Sequence, residues 1–478
     1  MAGNDLTKTL EVYFDEVVQG FDASVVLAQQ ASQYSPKAVD MSRANNQFWR
    51  PQPVMLQMQS GWDTTGKDAQ QIQKLSVPAS INNFGNIEIA LNLQEMQDPT
   101  NMKSATEAAQ QQISSTIDMS VADTVAKSGS LVITGTSPMN WKLAKTASTV
   151  MNEQGVGIGA ERSLFLSPEH YNTMGDVLGE KGYHGGETKT AWDEAKLPVK
   201  VGGFTTFQSD YSGFQDGNHV TGLKLSADAN YSPKAMQPAQ MGGGEVPVDN
   251  RSMTISLNSS GLSDGDAFTI AGVYAVHQVK KTKTPRLKTF RVLETNGTTA
   301  VITPPVIPAG PYQNVSAKGA NGANITILNT VDESPSIFWR KNSVEIIKGN
   351  FDGLQGLAGG AKFMKATTKK LGFPIAMLYW LDGKGVIYSV KWLVFYGVNN
   401  LNTEMNGIIL PNQTQVSAVQ ATRNIAGPQD PAAESGASDG GSGAGTDGGS
   451  GAGTDGGAVE GAGAQGTVNP ADTTEKKK

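Results

Sequence analysis

Cysteine is absent from all 478 residues of this chain. That excludes disulfides, thiolate metal sites and cysteine nucleophiles, and fits a reducing compartment or a particle that does without cross-bridges of this kind. No apolar run reaches 18 residues, and the N-terminus has no basic stretch followed by an apolar core and a cleavage site. Neither a membrane span nor a secretory leader is therefore expected. Histidine is scarce. His170, His184, His219 and His277 are the four, and no two are spaced to share a helix face or strand. Imidazole zinc motifs are missing, and each ring is expected in a loop or at the surface. Charge of one sign is not in excess either, with 38 basic against 44 acidic side chains. The global electrostatic footprint of a nucleic-acid or anionic-membrane binder is lacking. From Asn424 onward there are eight acids and three lysines, which carry −5 of the total −6 and leave the body at −1.

Catalytic signatures are thin. Gly155-Val156-Gly157-Ile158-Gly159 follows a helical pattern rather than a strand and is not closed by Gly-Lys-Ser/Thr, so it does not read as a phosphate loop. The adjacent acids Asp332 and Glu333 fall in a polar turn, where solvation explains them. No catalytic residue, metal or cofactor is expected. Lys280, Lys281, Lys283, Arg286, Lys288 and Arg291 form a run without an intervening acid. Its sharp reading is a polyanion patch; the favoured one is a solvated barrel loop or a surface complementary to an acidic neighbour.

What the chain does have is one long helix. Asp98 can cap, Pro99 takes the first helical position, and Met102, Ala105, Ala109, Ile113, Ile117, Val121 and Val125 recur at spacings of three and four. Gly129 supplies the stop. This spine is longer than an ordinary globular helix. An amphipathic N-terminal arm spans Leu6 to Ala31, with Leu6, Leu10, Tyr13, Phe14, Val17, Phe21 and Val25 on one side; it must dock on its own body or on a partner. Prolines 51 and 53 then deny regular structure, and Val54 to Pro78 reads as a long hairpin-like loop centred on Ser60 to Lys67. A mixed α/β region follows the spine. Near Leu223 the period changes to two, and six short strands up to Ile325 suggest a small β-barrel. Mixed composition returns beyond Trp339, with apolar runs Ile375 to Leu381 and Val386 to Val398. From Asn424 the repeat Asp-Gly-Gly-Ser-Gly-Ala-Gly-Thr, at Asp439 and again at Asp447, has almost nothing apolar to offset the entropy of ordering, so a flexible acidic tail is expected.

The same stretches carry a resemblance. Phe48-Trp49-Arg50-Pro51, Gly61-Trp62-Asp63, Ser130 to Thr134, Val248-Asp249-Asn250-Arg251, Ile302-Thr303-Pro304, Ile327-Leu328-Asn329, Phe395 to Asn399 and Leu410 to Thr414 stand in the order in which similar motifs occur in the major coat proteins of Salmonella bacteriophage P22 and its relatives. The chain resembles that family from the arm to about Gln415. The resemblance implies an α+β fold of the Hong-Kong-97-like capsid type, with a spine helix, peripheral and axial domains, and an inserted β-barrel. The implied limits are 1–48 for the arm, 49–82 for the extended loop, 83–128 with 385–423 for the peripheral domain, 129–222 with 338–384 for the axial domain, 223–337 for the barrel and 424–478 for the tail. It further implies a structural protein of a short-tailed double-stranded DNA phage, assembled in the host cytoplasm. Its partners would be its own copies in pentamers and hexamers, a scaffolding protein, a portal protein and packaged DNA touched non-specifically, with no membrane. Asp15 and Glu16 match the family's acidic pair on the scaffold-binding arm. Trp62, Asp63, Lys67 and Glu245 are candidates for contacts between subunits, Glu245 being the one charge in the barrel loop Met241 to Pro247. Covalent lysine–asparagine cross-linking between subunits is not a habit of this coat family, and Lys67 is no evidence for it. A carbohydrate-binding or polysaccharide-acting β-barrel is the alternative, on the strength of exposed tryptophans on a Gly/Asn/Thr-rich chain.

Overall fold

The computed structural model describes residues 6–37, 47–56, 58, 62, 65, 72–92, 95, 99–157, 161–179, 197, 200–239, 243–351, 361–382 and 387–414. Contacts divide the chain after Asn424, and everything described belongs to the first unit. Its α-helices are α1 (Leu6–Ser24), α2 (Leu27–Gln30), α3 (Pro99–Ser128), α4 (Trp141–Glu153) and α5 (Pro168–Gly179).

The spine is α3, with 30 residues and a length of about 45 Å. It starts at Pro99, and at its end the Gly129 N–H donates to Val125 O (2.8 Å). Of the expected stripe, Ala109, Ile113, Ile117, Val121 and Val125 are buried and Ala105 is half-buried, while the Met102 side chain lies outside the described ones; Thr106, Ser114, Asp118 and Ala122 are buried too. The helix is wetted on less of its surface than its polar residues suggested, because it is clasped from two sides. On one side lie Phe14, Val17, Val18 and Phe21 of α1; on the other lie Trp392, Val394 and Tyr396 of a sheet, all in one core. From Tyr13 to Val25 the arm's stripe is thus used within its own chain, at an order of 2 kcal/mol per fully buried apolar side chain before ordering costs; the side chains of Leu6 and Leu10 lie outside the described ones. The arm is not one helix to Ala31. It breaks after Ser24, resumes as α2, and ends in strand Ser32–Tyr34.

That strand pairs in parallel with Val344–Lys348 and opens a six-stranded sheet. At its centre, Ile387–Asn400 pairs antiparallel with Pro374–Asp382, with Asn83–Asn92 and with Val344–Lys348. The two late apolar runs are these two long strands. A second six-stranded sheet runs Leu131–Thr134, Asn406–Leu410, Ser336–Arg340, Arg162–Leu166, Phe204–Gln208 and Lys200–Val201. Residues 338–384 and 385–423 therefore contribute to both sheets. The spine meets the second sheet through glycines. A Cβ on Gly129 would come within 2.8 Å of Gly407 Cα, and one on Gly407 within 1.9 Å of Leu131 O, so neither position has room for a side chain.

The barrel is formed by Met253–Ser256, Thr299–Thr303, Lys283–Asn296, Ala267–Val276 and Ile325–Ile327, in that order. Lys224 bridges to Asn324 and Leu225 to Leu257, so the segment near Leu223 joins the two outer strands as the sixth stave. Ile255, Phe268, Ile270, Phe290, Val292, Ile302 and Ile327 fill its interior, as the period of two requires.

Candidate functional site

With its apolar side docked, α1 presents Glu11, Val12, Asp15 and Glu16 to solvent. The face left for a partner is acidic. The extended loop begins as a real hairpin, Gln47–Pro51 against Ser76–Ser80. Its root is pinned by Arg50, which donates to both Glu345 oxygens (2.9 and 2.8 Å) and lies over the Tyr34 ring at 3.7 Å. Beyond the root, the Trp62 side chain is fully exposed at 105%. Asp63 and Lys67 lie outside the described residues. Glu245 is exposed on a two-stranded ribbon, Glu245–Pro247 against Met236–Pro238; Met241 and Gly242 fall outside the described residues.

The basic run is mostly consumed within the chain. Arg286 donates to Glu153 at the end of α4 (2.8 Å), and Lys288, almost wholly buried, donates to Glu404 (2.5 Å). Arg291, fully buried, donates to Ala126 O in the last turn of the spine (2.5 Å) and to Gln215 (2.9 Å). The carbonyls of a helix's last turn lack helical partners and carry partial negative charge, so a guanidinium is a fitting cap. Burial lowers the Arg291 pKa to about 10, against a smaller raising effect of Asp266. Lys283 sits over the Tyr274 ring at 3.8 Å, and Lys281 donates to Gln313 O (3.2 Å). Arg286, Lys288 and Arg291 thus fasten the barrel strand Lys283–Asn296 to the rest of its own subunit.

Three buried polar groups escaped the sequence reading. The Asp118 carboxylate accepts the Val26 and Ala28 amides (2.8 and 2.9 Å) and caps α2 from across the fold. Its signal was the row Ser114, Asp118, Ala122, Ala126, spaced by four beside the apolar stripe. His170 is neither in a loop nor at the surface. It sits in α5, 2% exposed, with Nδ1 2.7 Å from Ser336 Oγ and Nε2 3.0 Å from Glu333 Oε1. Glu333, expected to be solvated, is 7% exposed and also accepts from Asn412 (3.3 Å). A carboxylate can only accept, so Nε2 carries the ring proton and Nδ1 accepts the Ser336 hydroxyl. Burial lowers the His170 pKa, outweighing its bond to Glu333. No sequence spacing links these residues, which come from α5, from the start of strand Ser336–Arg340 and the residues before it, and from just beyond strand Asn406–Leu410. Among the described residues no group of three or more His, Cys, Asp or Glu could hold a metal ion, and no helix is long and apolar enough to cross a membrane.

The family model described as P22 coat protein, gene protein 5, matches residues 1–412. This chain belongs to the P22 coat protein family. As a member it is a phage major coat protein with the Hong-Kong-97-type capsid fold: a structural protein, whose copies assemble into a shell and whose place is the virion capsid. Membership decides for the coat reading over the carbohydrate-binding one. Among solved structures, the CUS-3 coat protein I-domain is 42% identical, covering 23% of this coat protein and 98% of its own chain, with a TM-score of 0.20. The capsid of cyanophage P-SCSP1u is 10% identical over 81% of this chain and 88% of its own, with a TM-score of 0.41. The capsid of Ralstonia phage GP4 is 7% identical over 80% and 88%, with a TM-score of 0.38.

Proposed function

We propose that this coat protein builds an icosahedral shell of pentamers and hexamers around double-stranded DNA, in a short-tailed phage, and that it does so in the host cytoplasm with a scaffolding protein and a portal at one vertex. The arm forms one contact in this reading, the loop around Trp62 reaches over a neighbouring subunit, and the barrel from about Leu223 to Ile337 is the insertion domain. Packaged DNA is touched without sequence preference. Copies in a shell reinforce one another through high effective concentration, so individually weak contacts suffice.

The observation that carries the scaffold partnership is the outer face of α1. Its described apolar side is packed against the spine, and what stands exposed is Glu11, Asp15 and Glu16, with Val12 among them. An acidic helix face selects a basic partner segment through charge complementarity, in a salt-dependent way. Co-assembly of Asp15→Ala with its scaffolding protein at low salt tests the assignment. Reduced scaffold incorporation into otherwise closed shells is expected; incorporation equal to that of the unaltered protein removes Asp15 from the contact.

A further inference from the structure

Strand Asn83–Asn92 lies at a margin of the sheet that packs on the spine. Along its ten residues it pairs with residues 387–396, while Pro374–Asp382 takes the other side of that central strand. Among the described residues nothing pairs with its far edge. Half of its backbone N–H and C=O groups therefore point away from the sheet, over a length of about 33 Å. The sheet's other open margins are different. Ser32–Tyr34 is only three residues long, and Lys362–Thr367 carries Lys362 and Lys365; short strands and lysines both discourage a further strand from adding. Asn83–Asn92 has no lysine, no proline and one charge, Glu88, which meets Lys391 at 3.2 Å. Its side chains alternate, with Phe84, Asn86, Glu88 and Ala90 exposed and Ile87, Ile89 and Leu91 half-buried against the spine core. Phe84 is stacked on Phe395 at 4.3 Å and is still 68% exposed.

We propose that this edge pairs with the same edge of a second copy, antiparallel about a two-fold axis, so that two subunits of the shell share one continuous sheet. A long edge without protecting charge is a template for another strand, and assembly brings identical edges together at high effective concentration. A two-fold contact between identical strands is self-complementary. The pleat limits its register, because facing residues must lie on the same side of the sheet and a slip of one residue would turn every side chain over. Centred on Glu88, the pairing sets two carboxylates directly opposite, which is unfavourable. Centred on Ile87, it sets Ile87 against Ile87 and Asn86 against Glu88, an amide that donates to a carboxylate, and residues 83–91 stay paired. Centred on Asn86, the overlap shortens to residues 83–89 and Phe84 faces Glu88. The register centred on Ile87 is the one assigned. A single strand edge covers less than the roughly 1,000 Å² that a stand-alone interface needs, so the contact belongs to the shell rather than to a free dimer. It rests on the assembly of copies alone and does not depend on the scaffold reading or on the loop around Trp62.

The lack of cysteine makes a cross-linking test clean. Asn86→Cys combined with Glu88→Cys, both at exposed positions, sets facing thiols within disulfide reach across the axis. Shells of the full chain carrying both changes, oxidised and run without reductant, are expected to yield mainly a covalent dimer. Asn86→Cys alone, whose partner thiol then lies on the diagonal, should yield little, and Thr367→Cys on the lysine-bearing edge should stay monomeric. A ladder beyond the dimer, a dimer from Thr367→Cys, or closed shells in which the double variant stays monomeric overturns the proposal. Amide exchange on the unaltered protein decides the matter should the double variant fail to close shells. The outward amides of residues 83–92 are expected to exchange quickly in the unassembled subunit and to be slowed about tenfold or more in shells; equal exchange in the two states overturns the pairing.

Discussion

Asp118 and Ala28 are separated by 90 residues and joined by a 2.9 Å hydrogen bond, through which the middle of the spine holds the end of the arm. The neighbouring Val26 amide donates to the other carboxylate oxygen, so one side chain satisfies two N–H groups at the start of α2. Asp118→Ala strips both of a partner in a buried place, at a cost on the order of 1 to 3 kcal/mol for each unsatisfied group. The expected result is an arm cleaved by protease well before the body, together with a lower Tm. Unchanged protection of residues 6–37 would show that the apolar stripe alone holds the arm.

The same carboxylate gives a pH signature. Burial, its largest influence, raises the Asp118 pKa above the ordinary 3.8, against the lowering effect of the backbone amides. The native state then holds this proton more tightly than the unfolded chain. The associated stability is fully present below 3.8 and declines as pH rises through the higher native value. Unfolding free energies of wild type and Asp118→Asn, compared from pH 3 upward, should show the wild type losing ground to the variant across that window and running parallel above it. A difference that grows with pH would mean that the amide bonds outweigh burial.

His170 predicts the opposite slope. Its native pKa lies below the ordinary 6.5 because the ring is buried. Its contribution to stability is therefore complete above 6.5 and is lost as pH falls through the lower native value. Protonating Nδ1 would also displace the hydroxyl of Ser336 that it accepts. His170→Gln should be less stable than wild type at neutral pH and should lack this acid-side loss. Equal pH profiles for the two proteins would place the titration elsewhere.

How much of this was legible in the sequence depends on the range of the signal. The spine was, because Pro99, Gly129 and the stripe between them lie within one helix, and the barrel was, because strand alternation is local. The arm's stripe was visible while its partner was not, since nothing in Phe14 or Phe21 names Ile113 or Ile117. The buried polar pairs were invisible for the same reason: Glu333 and His170 are 163 residues apart. The basic run shows the limit most clearly. Its charges suggested a solvated loop or a surface for an acidic neighbour, and they are answered within the chain by Glu153, Glu404 and the Ala126 carbonyl, contributed by three distant elements.

Arg291 tests that fastening directly. Its guanidinium is fully buried and caps the spine through Ala126 O. Arg291→Ala removes a charge-assisted bond worth about 1.5 to 3 kcal/mol and leaves the carbonyl and Gln215 without it. The barrel core is untouched, since Arg291 is not among its packed apolar residues. The expected outcome is faster amide exchange at the last turn of the spine and along Lys283–Asn296 near the junction, with interior barrel amides such as Ile270 and Phe290 still protected. Collapse of protection throughout the barrel would mean that it does not hold its structure apart from its seat.

Trp62 tests the shell reading at its joint. An indole at 105% exposure contributes nothing to the stability of the lone subunit, and the hairpin from which its loop extends is held at its root by Arg50 and Glu345. A surface tryptophan of this kind gains only when a neighbour covers it, and full burial of an aromatic side chain is worth on the order of 2 to 3 kcal/mol, less the cost of ordering the loop. Trp62→Ala should therefore leave the Tm of the unassembled subunit unchanged while raising the concentration needed for shells to form. Because each shell contains many copies of the contact, a modest loss per subunit should appear as a sharp shift in assembly, read by light scattering and by shell yield on a gradient. If instead the subunit melts earlier and assembly at a given folded concentration is normal, the indole serves its own chain, and the overlapping-loop interpretation has to be given up.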